Sequence, residues 1–180
     1  MRLFFAVTLP SSVRSALARL QTTDAAYRWV AAEQLHVTLA FLGEQPESRL
    51  AELESIGRGA ASASDASTLH LGQPGSFGPR SAPRVLWIGL GGDIPALLHL
   101  ASALTERLRD AGFPVEDRPL QPHITLARRR ERAAGGSLAP WPPREAPSAD
   151  TIPLDQLILF QSHLSPRGAS YIPLGAFALA

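Results

Sequence analysis

Apolar positions in this chain fall into short runs of strand length alternating with stretches of helical spacing, and the order of these patterns recurs. "RLFFAVTL" (2–9) is a continuous apolar run rich in β-formers, which predicts a buried strand. Pro10-Ser11-Ser12 then opens a helix whose Val13, Leu17 and Leu20 share one face. "YRWVAAEQLHVTLAFLG" (27–43) predicts a short strand, a turn, and a strong strand over 35–42. A second helix follows in "PESRLAELESIGRGAAS" (46–62), with Leu50, Leu53 and Ile56 inward. "STLHLG" (67–72) has strand character, whereas the Gly and Pro content of "GQPGSFGPRSAP" (72–83) predicts a loop.

A similar order then returns. "PRVLWIGL" (83–90) is an apolar strand, and "DIPALLHLASALTERLRDAG" (93–112) is a helix with Asp93 as N-cap and Gly112 as its stop. "PLQPHITLAR" (119–128) is a second strong strand. "AAGGSLAPWPPREAPSAD" (133–150) is too rich in Pro and Gly for a regular element and predicts a surface loop, while "LDQLILFQSHL" (154–164) and "ASYIPLGAFAL" (169–179) close the chain as strands. The recurrence suggests a duplicated lobe, too diverged to count as a sequence repeat. Two such lobes side by side would each bring one strong strand to the middle, where sites commonly form. Residues 1–180 are expected to make one two-lobed unit.

Composition narrows the chemistry. With 45% hydrophobic and 18% charged residues, the chain is a core-former and not a disordered polymer. The net charge of +1 gives no overall basic field, but "RRRER" (128–132) concentrates arginine behind the second strong strand, as an anionic ligand would favour and as a solvated turn also would. All basic residues are Arg, which excludes a Schiff-base or P-loop lysine. There is no Cys, so disulfides, thiolate metal sites and cysteine nucleophiles are excluded. The apolar start is too short, and too soon followed by Pro10 and Arg14, to be a signal peptide. No stretch is long enough to cross a bilayer, so a cytoplasmic location is expected.

The two strong strands carry the candidate chemistry. Of five histidines, two sit in the same His-x-Thr-x setting, "HVTL" at 36–39 and "HITL" at 123–126. Residues two apart share a strand face, so His36 and Thr38 point one way, as do His123 and Thr125. Val37, Leu39 and Phe41 point the other way into apolar packing, with Ile124 and Leu126 their equivalents. One such tetrapeptide is ordinary strand packing; two at equivalent places call for a function. Paired imidazoles near their usual pKa of about 6.5 can serve as base and acid in displacement at phosphorus, with hydroxyls donating to non-bridging oxygens. Arg128 is the nearest cation for developing charge. Strict alternation puts it on the face opposite His123, unless the strand ends or bulges there. A metal site is the rival use, but no third ligand stands at suitable spacing and Thr is a poor ligand, so no metal and no cofactor is expected. His70, His99 and His163 are expected at the surface.

The chain resembles the 2H phosphoesterase superfamily and, within it, the bacterial RNA 2′,3′-cyclic phosphodiesterases, also called 2′-5′ RNA ligases. The likeness runs through "RLFFAVTLP", "LHVTLAFLGE", "PRVLWIGL", "PHITLAR" and "SHLSPRGASYIPL". It implies an α+β fold: two pseudo-twofold-related lobes of mostly antiparallel sheet with outer helices and a central cleft holding both motifs. It implies metal-independent opening of RNA 2′,3′-cyclic phosphate ends to 2′-phosphomonoesters. His36 would be the proton donor to O3′ and His123 the acceptor from water, with Thr38 and Thr125 in the motifs and Arg128 as the phosphate-binding arginine. Phe41 stands where an aromatic can stack on a terminal base, against its expected core packing, and Tyr171 is a similar candidate. The expected partners are RNA ends or nucleotides bearing a 2′,3′-cyclic phosphate, with no membrane and no obligatory protein partner. Two alternatives remain open: 2′-5′ ligation of tRNA-like half-molecules by the same residues, and a non-catalytic module that binds RNA ends.

Overall fold

The computed structural model describes residues 1–22, 24–130, 141, 150–165 and 168–180. Nine strands join in one sheet, and every pairing in it is antiparallel. In chain order the elements are β1 (Arg2–Thr8), α1 (Ser11–Ala18), β2 (Tyr27–Trp29), β3 (His36–Glu44), α2 (Leu50–Ser62), β4 (Ser67–Phe77), β5 (Val85–Gly92), α3 (Ile94–Asp110), β6 (His123–Arg129), β7 (Ile152–Leu154), β8 (Gln156–Ser165) and β9 (Gly168–Ala178). Across the sheet they run β7-β4-β5-β6-β3-β1-β8-β9, with β2 also paired to β6.

That order is symmetric about its centre. From the β6/β3 seam, one side reads β6, β5, β4, β7 and the other β3, β1, β8, β9. Each inner pair comes from a strand–helix–strand passage, β1–α1–β3 and β5–α3–β6, which is the recurrence seen along the chain. The expected two lobes are thus two halves of one sheet. The seam is narrow: β3 and β6 meet at one register pair, Val37 opposite Ile124. Both side chains are fully buried, so the core face of the sheet continues through the seam.

Apolar burial holds the helices to that face. Val13 and Leu17 of α1, Leu53 and Ile56 of α2, and Leu97, Leu100, Leu104 and Leu108 of α3 join one core with Leu3, Phe5, Val7, Val37 and Leu157. At about 1.5–3 kcal/mol for each large apolar side chain removed from water, this core is the main source of stability. The ends of α3 follow their sequence signals. Asp93 caps it, its carboxylate accepting from Ala96 N at 3.1 Å, and Gly112 ends it at φ +73°, a conformation that other residues rarely adopt.

The first part of one predicted loop is a strand. β4 continues past Gly72 to Phe77, paired with β5 from Pro74 opposite Ile88 to Phe77 opposite Val85. The pairing slips between Leu71 and Pro74, so Gly72 and Gln73 form a bulge within a strand, while 78–83 lie in the loop that connects β4 to β5. β7 pairs with Ser67–Leu69 of β4, and among the described residues no second strand pairs with the Pro74 stretch, so its missing N–H disrupts no second ladder. Gly75 is required by packing: a Cβ there would lie 2.3 Å from the Trp87 indole. The surface loop expected over 133–150 lies, apart from Trp141 and Asp150, outside the described residues.

Candidate active site

The seam brings the two motifs together. One step to either side of Val37 and Ile124, the antiparallel register sets His36 across from Thr125 and Thr38 across from His123. Val37 and Ile124 point into the core, so all four polar side chains stand on the opposite face, the floor of a cleft. The local pseudo-twofold axis passes between the two pairs, and each imidazole has a hydroxyl of the other half beside it.

Each motif strand then makes the same irregularity at the same place. β1 pairs with β3 as Ala6 to Thr38 and Phe5 to Ala40, leaving Leu39 extra. β5 pairs with β6 as Trp87 to Thr125 and Leu86 to Ala127, leaving Leu126 extra. In "HVTLAF" and "HITLAR" alike, the leucine after Thr is the bulged residue, buried with its alanine neighbour left in register. The bulge moves the residue three places after Thr onto the cleft face. In the second motif that residue is Arg128, which lines the cleft with Thr38, His123 and Thr125. In the first it is Phe41, half exposed on the same wall. Strict alternation therefore fails for both. Phe41 does not pack in the core, and Arg128 reaches the cleft by the bulge that alternation alone does not supply. The symmetry of the backbone is broken by chemistry, an aromatic face at one position and a guanidinium at the other.

Both imidazoles are held identically. His36 Nδ1 donates to Gln34 O at 2.6 Å, and His123 Nδ1 donates to Gln121 O at 2.7 Å, each two residues back. A carbonyl can only accept, so the proton on each neutral ring stays at Nδ1 and Nε2 carries the exchangeable site. Gln34 in turn donates from its side chain to Ala169 O, tying the approach to His36 onto β9.

The surroundings of the two rings differ. His36 sits among aromatics, 5.0 Å from the Phe4 ring and 5.2 Å from Tyr171, which meets it edge-on. That apolar surround is the largest reason its pKa is held below the ordinary histidine value. The Gln34 carbonyl opposes this, and the charges of Arg128 and His123 lower it further. His36 thus feels side chains of the other half, Arg128 and His123. His123 has Phe77 edge-on at 5.0 Å and Trp87 at 6.1 Å. Tyr171 is half-buried, and burial raises its phenol pKa against the pull of Arg128 and Arg2.

The cleft on the His123 side encloses about 870 Å³, roomy for a nucleotide, and extends toward Thr105 and Arg109 on α3. His36 and Tyr171 line an adjoining recess of about 230 Å³ with Phe160, Thr8 and Arg14. Seven expected site residues therefore gather along one face: both histidines, both threonines, Arg128, Phe41 and Tyr171. His70, His99 and His163 are exposed, as expected, and none of them lines either recess. Phe4, Phe77, Trp87 and Phe160 were missed as parts of the site's walls. Phe77 lay in the predicted loop, and the others read as core, because strand pairing alone decides which apolar residues face a cleft. Among the described residues no group of three or more His, Asp or Glu is placed to hold a metal ion, and no helix is long and apolar enough to cross a membrane.

Comparison with known proteins gives a consistent family. The model of the 2′-5′ RNA ligase superfamily matches residues 9–159. An RNA 2′,3′-cyclic phosphodiesterase of Thermus thermophilus is 35% identical over 99% of this chain and 90% of its own length. One of Geobacillus stearothermophilus is 33% identical over 98% of this chain, which spans 56% of that longer protein. Among solved structures, TT0787 of Thermus thermophilus superposes with a TM-score of 0.84 at 33% identity, covering 99% of this chain and 98% of that one. Escherichia coli LigT complexed with 3′-AMP gives 0.81 at 32% identity, with 99% and 97% covered.

Proposed function

Because the chain belongs to the 2′-5′ RNA ligase superfamily, we propose that it hydrolyses RNA 2′,3′-cyclic phosphate ends to 2′-phosphomonoesters, with its two motif histidines as the acid–base pair. The activity is that of relatives aligned over nearly the whole chain. The observation that carries the mechanism is the matched clamp on the two imidazoles, which turns both Nε2 atoms free on one face of the seam.

In this reading the cyclic phosphate lies over Val37 and Ile124. His123 Nε2 takes a proton from water as its oxygen bonds to phosphorus; the P–O3′ bond breaks, and His36 Nε2 protonates O3′. Thr38 and Thr125 donate to the non-bridging oxygens, and Arg128 stabilises the charge that builds on them. Phe41 and Tyr171 offer aromatic faces for the terminal base. The 3′-AMP bound by LigT is a nucleotide with its phosphate beside the same ribose edge.

One observation favours the exchanged assignment. The lowered pKa of His36 favours its neutral form, the state a base needs. A bound phosphate would offset Arg128 and draw the pKa back upward, while burial, the larger cause, stays. Leaving-group chemistry separates the two. A nucleoside p-nitrophenyl phosphodiester expels its aryl oxide without protonation, so it should rescue only the variant that lacks the acid. On a cyclic-phosphate RNA oligonucleotide, His36→Ala and His123→Ala should each lower kcat by at least about 10²-fold. Rescue confined to His36→Ala supports the first assignment, and rescue confined to His123→Ala supports the exchange. Full activity of either variant on the cyclic end sinks the paired mechanism.

A further inference from the structure

We infer that Arg28 binds the phosphate one nucleotide upstream of the reacting one, so that the cleft prefers a polynucleotide end to a lone cyclic nucleotide. This rests on the hydrolytic reading above and extends its site along the RNA chain.

The starting observation is a pairing of like charges. β2 runs beside β6 with Arg28 directly opposite Arg128. Cross-strand partners point to the same face with Cβ atoms roughly 4.5–5.5 Å apart, and like charges placed so are destabilising. The neighbouring pairs fix which face it is. Tyr27 and Ala127 are buried in a small cluster with Leu86, and the Tyr27 hydroxyl donates to Pro83 O at 2.7 Å, so they point away from the cleft. Arg28 and Arg128 alternate with them and stand on the cleft face of the sheet, where Arg128 lines the cleft. Val85, opposite Arg128 on its other flank, lines the cleft as well.

Among the described residues neither arginine has a carboxylate partner. The ion pairs among the described residues lie elsewhere, at Glu44, Glu52, Asp117 and Glu116. Both side chains are exposed. A sheet that sets two unpaired guanidinium groups face to face gains most from an anion that bridges or spans them.

Their division of labour follows from reach. Arg128 lines the cleft beside Thr38, His123 and Thr125, whereas Arg28, one strand away on β2, is not part of that lining. Arg28 therefore serves a phosphate beyond the reacting one. Arg130 follows just past the end of β6, its amide bonded to Ala26 O at 2.8 Å, and is exposed too, so the positive track leads outward from the cleft beyond β2 and β6. A 3′ end has only one way to continue from its terminal phosphate, through the 5′ side of its own nucleotide to the next phosphate. A backbone so placed would meet Arg28.

The test compares one substrate pair in two proteins. Wild type and Arg28→Ala would be assayed with cytidine 2′,3′-cyclic phosphate and with a short oligoribonucleotide ending in the same group. The ratio of kcat/KM, oligonucleotide over mononucleotide, should fall about tenfold in Arg28→Ala, mostly through KM, with partial recovery in Arg28→Lys. An unchanged ratio overturns the inference. In parallel, the affinity for a fluorescent oligoribonucleotide ending in a 2′-phosphate would be followed against salt. Losing one phosphate contact should flatten the log–log slope by about 0.7. Should neither substrate turn over in wild type, the hydrolytic reading fails, and the salt slope still decides whether Arg28 contacts the RNA backbone. An identical slope and affinity in the two proteins then overturns the inference by itself.

Discussion

At the scale of single residues, the unequal surroundings of the two histidines are open to measurement. Burial against Phe4 and Tyr171 lowers the His36 pKa in the folded protein, so between that lowered value and about 6.5 the unfolded chain binds more protons than the folded one. Stability should therefore rise with pH through that window and be lost as the pH falls through it. Thermal melts between pH 8 and pH 5 should show His36→Gln losing less than wild type on acidification; equal losses would deny that the ring is held neutral by burial. Arg128 acts in the same direction, and removing it should move the His36 titration upward. Imidazole NMR signals followed against pH in Arg128→Ala would show this, and a downward or absent shift would separate Arg128 from the site. Arg128→Ala should also lower kcat/KM by about 10²-fold or more through lost stabilisation of the phosphate charge.

At the scale of elements, β4 shows what packing requires and composition hides. Trp87 crosses from β5 over Gly75, and its indole reaches His123 on the cleft face. Gly75→Val would press a side chain into that ring at a cost of about 1–3 kcal/mol and displace a wall of the site. Melting temperature and kcat/KM should fall together, while Ser76→Val, at an exposed neighbour, should change neither by much. If Gly75→Val leaves activity intact, Trp87 has no part in shaping the cleft. The same stretch marks the limit of what one sequence conveys. "RLFFAVTL", "HVTLAF" and "HITLAR" announce strands because local apolar patterning and β-propensity agree there. The stretch 72–77 hides one because its Pro and Gly answer to a flank unpaired among the described residues and to a neighbouring indole, both set by distant chain. Likewise, His36, Thr38, His123 and Thr125 were placed correctly by a period of two, which holds up to the bulge. Phe41 and Arg128 lie beyond it, where only the pairing with β1 and β5 tells the face. The repeated Leu-Ala after each Thr is the sequence trace of the bulge, visible once the two strands are laid side by side.

At the scale of the whole molecule, the chain path ties the two halves of the sheet together. The half built on β6 is drawn from the middle of the chain, β4 to β7, with β2 added from near its start. The half built on β3 is drawn from both ends, with β8 and β9 returning to pair beside β1. No single cut separates them. The core face is continuous under the seam, and α3, which follows β5, packs against β3 across it. We therefore expect residues 1–180 to unfold as one cooperative unit, despite a seam that is joined through a single register pair. The distribution of tryptophan makes this testable without labels. Trp29 lies on β2 beside β6, Trp87 lies on β5, and Trp141 packs against Trp29 and bonds to Gly75 O, so all three report on the β6 half. Far-UV circular dichroism reports on strands of both halves. In urea the two signals should trace one coincident transition. A fluorescence change that precedes or follows the dichroism would mean that each half folds by itself, and a cleft built between them would then depend on how two separate bodies dock.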